Sequence, residues 1–183
     1  MKKYSFLLAV LLLSVFVFFG QSSPETAETI LKDACVQATK EQKKVFIIFH
    51  ASWCVWCHRM DSSMNDPSCK KFFDDNFVVR HMVVDESKNK KNLENPGADE
   101  LKNKYGGNNQ GIPYWLVFDA DGKFILNSKE HSEKPGSSSE GDNMGCPATE
   151  KEVNYFVEVL KKISRLSAEQ ELAIRKRFRQ NEH

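Results

Sequence analysis

Apolar residues along the chain follow two patterns, which predict strands alternating with helices. Short runs rich in β-branched and aromatic side chains are typical of strands, whereas apolar residues that recur every three or four positions are typical of amphipathic helices. The strand pattern covers residues 45–50, 77–85, 114–118 and 123–127. The helical pattern, or a helix-start signal, predicts helices over residues 24–42, after the second cysteine of the 54–57 segment, over 67–75, over 98–105, from Thr149 to Ile163 and from Ser167 to about Phe178.

The order of these elements predicts how the strands pair. The first two strands are separated by helices, and such a crossover implies parallel pairing. The last two are separated only by the turn sequence of residues 119–122, Asp-Ala-Asp-Gly, which implies an antiparallel hairpin at the edge of the sheet. We therefore expect an α/β fold in which a central mixed sheet carries helices on both faces.

Two polar segments interrupt this order and predict loops. Residues 86–97 are highly charged, and residues 128–146 are rich in Ser, Gly, Lys and Glu. Near the end of the chain, Ser167 and Gln170 form a capping pair before a run of basic residues. We expect a main domain over residues 23–165, followed by a basic, solvated helical tail over residues 166–183.

The first 22 residues have the pattern of an export signal. Lys2 and Lys3 precede an apolar run, residues 6–19, that is too short to cross a membrane comfortably, and small residues allow cleavage before Ser23. We therefore expect residues 1–22 to be removed and the mature protein to be periplasmic or secreted. The formal net charge of +1 gives no reason to expect binding to nucleic acid.

Export changes the meaning of the five cysteines, because disulfides persist outside the cytoplasm. An odd number does not suit a simple framework of disulfides. Cys54 and Cys57 form a Cys-x-x-Cys pair directly after a predicted buried strand and at the start of a predicted helix. The unpaired N–H groups of a helix N-terminus stabilise a thiolate, which is the form of cysteine that attacks disulfides. The pattern indicates a redox site on an ordinary globular domain.

These features together resemble the thioredoxin superfamily: a strand, Trp-Cys-x-x-Cys at a helix start, Ile-Pro before a strand, a hairpin and a closing helix. The similarity covers residues 24–165 and is greatest to exported members such as the terminal domain of bacterial membrane thiol-disulfide interchange proteins. It implies that Cys54 is the exposed nucleophile and Cys57 the resolving cysteine. It also implies that Pro113 is cis and faces the cysteines, and that Trp53, Ile112 and Pro113 position the client.

The resemblance further implies a thiol-disulfide oxidoreductase whose only redox group is its own Cys54–Cys57 pair, without a separate cofactor. Its partners would be exported proteins with disulfides or thiols, and a membrane electron donor is a further candidate. The resemblance also implies a reductase or isomerase rather than an oxidase, since the family members that this chain resembles pass electrons outward from a membrane donor. Apolar residues around the motif, which disfavour a strongly stabilised thiolate, point the same way.

The sequence departs from the family in one position that bears on proton transfer. Many thioredoxins carry a buried acidic residue six positions before the nucleophile, and here that position is Ile48. Another group must then help the resolving cysteine lose its proton. His58, which is adjacent to Cys57, and His81 on the next strand are the candidates.

Several alternatives remain at this point. Cys54 to His58 also matches the Cys-x-x-Cys-His attachment signature of a c-type haem. A zinc site that adds Cys69 to these residues would lack a second closely spaced pair of ligands, so we expect no metal. A thioredoxin fold that serves only as a binding module is a further possibility. We expect no catalytic role for the other three cysteines. Cys35 lies on the apolar stripe of its helix and is expected to be buried, Cys69 lies on a helix after the motif, and Cys146, beside a predicted loop, is a candidate exposed thiol.

Overall fold

The computed structural model describes residues 23–131 and 140–182. The predicted export signal, residues 1–22, lies outside the described residues. The helices are α1 (Ala27–Glu41), α2 (Val55–Met64), α3 (Lys70–Asn76), α4 (Ala98–Lys102), α5 (Glu150–Ile163) and α6 (Ala168–Arg179). The strands are β1 (Lys44–His50), β2 (Phe77–Val83), β3 (Tyr114–Phe118), β4 (Phe124–Asn127), β5 (Lys129–His131) and β6 (Glu140–Asn143). None of the helices in this part of the chain is long and apolar enough to cross a membrane.

Four strands form a mixed sheet, as the sequence predicts, and their order is β2-β1-β3-β4. β1 pairs in parallel with β2, so that His50 lies opposite Val83, and it pairs antiparallel with β3 on its other side. β4 forms the antiparallel edge. Because β1 is an inner strand, the short connection that follows it places the start of α2 beside the centre of the sheet rather than at an outer strand.

Side chains of β1 alternate between two hydrophobic cores, as expected for a strand with helices on both sides. Phe46 and Ile48 pack in a core shared with α2, α3, α5 and α6. Val45, Ile47 and Phe49 pack in a second core that includes α1 and α4. This alternation explains why the run is apolar without interruption: both faces of the strand are buried.

Residues 128–146, predicted as a loop, contain two further strands. β5 and β6 pair antiparallel as a small separate sheet. The loop prediction was wrong for these two strands, because they are short and polar and no alternation of apolar residues marks them. Tyr155 of α5 donates a hydrogen bond to the Lys129 carbonyl, which ties β5 to the domain.

The C-terminal segment is not a solvated tail, and this prediction too was wrong. Ile174 and Phe178 of α6 are fully buried in the core that contains α5. They lie four positions apart and therefore share one face of the helix. Arg177 pairs with Asp66, and Arg59 of α2 donates to the Asn181 carbonyl, so polar contacts also hold the segment against the domain.

Candidate active site

The end of β1 and the start of α2 build a redox site from consecutive residues. The chain turns at Ala51, whose carbonyl accepts the Cys54 N–H at 3.1 Å. Cys54 is the N-cap of α2, and its Sγ accepts the Cys57 N–H at 3.1 Å. A helix N-terminus leaves its first N–H groups without intrahelical partners, and here the cysteine sulfur takes the place of the usual capping oxygen.

Cys54 and Cys57 are joined by a disulfide, with their Cα atoms 5.3 Å apart. Cys54 is 3% exposed and Cys57 is 1% exposed, and both pack with Ala51 and Ile112. The sequence prediction of an exposed Cys54 is therefore wrong for the disulfide form. The reason is the cover that Ile112 supplies from a distant part of the chain.

The Ile112–Pro113 segment closes one side of the disulfide. The peptide bond between these residues is cis. The Ile112 carbonyl lies 3.6 Å from Cys54 Sγ, and Pro113 is buried at the start of β3. The structure thus brings together the two segments, 53–57 and 112–113, that the sequence selected.

Apolar side chains around the disulfide are exposed. Trp53, Val55 and Trp56 all face solvent, although large apolar residues are usually buried. The Trp53 indole N–H donates to the Asp85 carbonyl at 2.8 Å, and the Arg59 guanidinium lies 4.6 Å from the centre of the Trp56 ring. These contacts hold the two rings in place, so that they form an apolar rim beside the cysteines.

A groove of about 550 Å³ extends from this rim along the cis-proline segment. Its apolar walls include Trp56, Ile112, Pro113 and Met144, and acidic side chains also line it. Asn143 fixes its shape, because the Asn143 amide donates to the carbonyls of Gly111 and Pro113 at 2.8 and 3.1 Å. A groove of this kind, next to a disulfide, can hold an extended segment of another protein.

Glu86 supports the turn before Cys54, and sequence reasoning missed it. This side chain is buried and accepts hydrogen bonds from the Ser52 N–H at 2.6 Å and the Ser52 hydroxyl at 3.0 Å. The bond from the Ser52 N–H is the main reason why the pKa of Glu86 lies below its usual value. No motif signals it, because Glu86 lies in the charged segment predicted as a loop.

The two histidines selected from the sequence occupy different surroundings. His58 is exposed, and its Nε2 lies 3.2 Å from the Ser52 carbonyl. His81 is half-buried, with Nε2 at 2.6 Å from Asp61 Oδ1. A third histidine, His50, lies at the end of β1 with its ring centre 5.1 Å from that of His81. Sequence reasoning passed over His50, although it follows Ile48 by two positions and so lies on the same face of β1.

A family model described as Thioredoxin-like matches residues 26–120. The chain belongs to the thioredoxin-like family. No curated protein matches it. Similar solved structures include a disulphide isomerase from Xylella fastidiosa Temecula1, which is 27% identical. The match covers 55% of this chain and 72% of the isomerase chain, with a TM-score of 0.45. The DsbD C-terminal domain of Neisseria meningitidis in the oxidised form is 19% identical, and the match covers 76% of this chain and 98% of that domain, with a TM-score of 0.42. The exposed lipoprotein thioredoxin Etrx1 of Streptococcus pneumoniae strain TIGR4 is 21% identical, and the match covers 72% of this chain and 89% of that chain, with a TM-score of 0.39.

The other three cysteines of this thioredoxin-like chain all have thiols whose pKa is raised. Cys146 is buried, not exposed, and burial raises its pKa to about 12. Cys35 is only half-buried; partial burial and then the nearby Asp119 and Asp121 raise its pKa. Cys69 is buried at the N-cap of α3, and burial raises its pKa also. Raised pKa values leave these thiols poorly suited to attack a disulfide.

Metal ligation finds no support in the described part of the chain. Across residues 23–131 and 140–182, no group of three or more His, Cys, Asp or Glu side chains is arranged to hold a metal ion. Cys54 and Cys57 are bonded to each other, and His58 is directed at a backbone carbonyl.

Proposed function

We propose that this thioredoxin-like protein is an exported thiol-disulfide oxidoreductase that exchanges disulfides with protein clients through Cys54 and Cys57. The observation that carries the proposal is the disulfide between these residues on the first turn of α2, with the Cys57 N–H directed at Cys54 Sγ. In the reduced protein, a Cys54 thiolate would accept this N–H bond and lie at the positive end of the helix dipole. Both interactions favour the thiolate over the thiol.

In the reducing direction, the Cys54 thiolate attacks one sulfur of a client disulfide. A mixed disulfide forms, and the other client sulfur leaves as a thiolate that takes a proton from water. Cys57 then loses its proton and attacks Cys54 Sγ, which closes the Cys54–Cys57 disulfide and releases the second client thiolate. Two electrons pass from the protein dithiol to the client disulfide, and an electron donor must return two electrons for the next cycle.

The surroundings of the disulfide support a reductase or isomerase over a strong oxidant. An oxidant needs a heavily stabilised thiolate in its reduced form. Here Ala51 and Ile112 pack on the two cysteines, and apolar contacts of this kind disfavour a charged sulfur. We expect the pKa of Cys54 to be about 7, as in thioredoxins, rather than about 3.5.

The proposed clients are exported proteins with disulfides or thiols, and a membrane protein is the candidate electron donor. The export signal predicted over residues 1–22 would direct the mature chain to the periplasm or to the outside of the cell. The apolar rim and the groove beside the cis-proline suit an extended client segment, whose backbone and apolar side chains would lie across Ile112 and Pro113.

The decisive experiment is the equilibrium of the Cys54–Cys57 couple with glutathione, combined with an insulin reduction assay. A potential near −270 mV and a Cys54 pKa of about 7 would support the reductase. A potential near −120 mV, or a pKa below about 5, would overturn the direction but keep the exchange reaction. Failure to exchange with insulin or glutathione would favour a binding module that has only kept the fold.

A further inference from the structure

Closing the Cys54–Cys57 disulfide requires that Cys57 lose a proton in a place shielded from water. Cys57 is 1% exposed, so its thiol has little direct access to solvent. The strand position where thioredoxins often carry an acid holds Ile48, which is buried and apolar. The chain therefore needs a different proton acceptor near the buried side of α2.

His50 occupies the next position on the same face of β1. Phe46 and Ile48 direct their side chains to the core that contains Met60 and Met64 of α2, and His50 continues this alternation at the end of the strand. The next residue, Ala51, packs directly on Cys54 and Cys57. His50 is half-buried, and through Ala51 the end of β1 that carries it lies against the disulfide.

Two further polar residues, His81 and Asp61, lie near His50. The His50 and His81 rings meet edge to face, with centres 5.1 Å apart. His81 Nε2 lies 2.6 Å from Asp61 Oδ1 on α2. Asp61 and His81 both line a cleft of about 220 Å³ between α2, α3 and β2. The His50 ring thus has a polar neighbour, His81, that borders this cleft.

We propose that His50 accepts the proton of Cys57 in the step that closes the disulfide, and that His81 and Asp61 position His50. The proposal rests on the proposed function, since it assigns a role within that reaction. The Cys57 S–H bond breaks and an N–H bond forms on His50. The resulting Cys57 thiolate attacks Cys54 Sγ, the bond from Cys54 to the client sulfur breaks, and the client leaves as a thiolate. His50 then returns the proton to water.

The charges around His50 agree with this role. Burial is the main cause that lowers the pKa of His50, and His81 and His58 lower it further, while Asp61 and Glu86 act in the opposite direction. These residues belong to β2, to α2 and to the segment after β2, the elements packed against His50. A lowered pKa keeps His50 neutral at pH 7, and only the neutral ring can accept a proton.

The test follows the glutathione adduct on Cys54 after the reduced protein is mixed with oxidised glutathione. Acid quenching and mass spectrometry of the peptide that contains residues 54–57 separate formation of the adduct from its decay. In His50→Gln the adduct should form at nearly the wild-type rate but decay at least about tenfold more slowly at pH 7, since general-base catalysis contributes on this scale or more. Added imidazole should restore part of the decay rate, which a purely structural defect would not allow.

His58 provides the competing hypothesis within the same assay. Slow decay in His58→Gln together with normal decay in His50→Gln would overturn the proposal. Should His50→Gln fail to fold, the pH profile of the wild-type decay still decides. An inflection below about pH 6.5, where a histidine with a lowered pKa titrates, is expected. A rate that follows only ionisation of a thiol near pH 8.5 would overturn the proposal. If the wild-type protein forms no adduct at all, the proposed function itself fails.

Discussion

The docking of α6 predicts that Phe178 is essential to stability although it lies five residues from the end of the chain. Phe178 is 0% exposed, and its ring centre lies 5.1 Å from that of Phe156 and 6.3 Å from that of Phe73. Phe178→Ala would leave a cavity between α3, α5 and α6. Fully buried Phe→Ala substitutions cost about 3–5 kcal/mol of unfolding free energy, from lost burial and from the cavity that remains.

Urea unfolding of the mature, oxidised chain measures this loss. With a denaturant slope of about 2 kcal/mol per molar, the midpoint should fall by about 1.5–2.5 M. Leu172→Ala is the matched control, because it also removes a large apolar side chain from α6 but Leu172 is 69% exposed. The control should change the unfolding free energy by less than about 0.5 kcal/mol.

A small effect at both positions would refute the reasoning. If Phe178→Ala cost less than about 1 kcal/mol, like an ordinary surface substitution, α6 would be the solvated helix that the basic composition of residues 166–183 suggests. If Phe178→Ala lowers the unfolding free energy while the denaturant slope stays at the wild-type value, α6 unfolds together with the rest of the domain.

Three further outcomes follow from the site. Cys57→Ser should accumulate mixed disulfides with clients through Cys54, whereas Cys54→Ser should not; non-reducing gels measure this, and equal trapping by both variants would contradict the assignment of the nucleophile. At pH 8, iodoacetamide should modify Cys35 before Cys146, because a pKa of about 12 leaves only about one Cys146 in ten thousand as thiolate; peptide mass spectrometry gives the order, and a faster Cys146 would show that the groove opens. The pKa of His50 is lowered in the folded protein, so the unfolded chain binds a proton at His50 more tightly than the folded chain does. The stability that the neutral, buried His50 contributes is therefore present above about pH 6.5 and is lost as the pH falls. His50→Gln should therefore flatten the decline of unfolding free energy between about pH 7 and 5, and an unchanged decline would contradict the burial of this ring.

Local patterns predicted the four-stranded sheet and the redox pair correctly, because the signals for these features come from residues close together in the sequence. The apolar run of β1 and the segment 114–118 are each only a few residues long, and strand periodicity is a property of consecutive side chains. The capping boxes at Thr149 and Ser167 are likewise satisfied within three residues, and both form as predicted. Position along the chain alone was enough to place Cys54 at the start of α2.

Burial of polar groups could not be predicted, because it depends on contacts between distant residues. Glu86 is buried and accepts hydrogen bonds from Ser52, 34 positions earlier, and nothing in the charged sequence around Glu86 distinguishes it from its exposed neighbours. Lys102, also buried, pairs with Asp85. A charged residue in a polar segment is usually solvated, so the general expectation fails where a specific partner stabilises the buried charge.

Cys146 shows how such distant contacts bear on the chemistry of the site. This thiol lines the groove beside Pro113, and its place next to a predicted loop made it a candidate exposed thiol in the sequence. The segment after α6 covers it: the Asn181 amide lies 3.4 Å from Cys146 Sγ and donates to the Pro147 carbonyl at 3.2 Å. Arg59 in turn holds the Asn181 carbonyl while its guanidinium stacks on Trp56. Because burial keeps Cys146 protonated, thiolate chemistry beside this groove is left to Cys54 and Cys57. The C-terminal segment, which the sequence predicted to be solvated, helps to keep Cys146 buried.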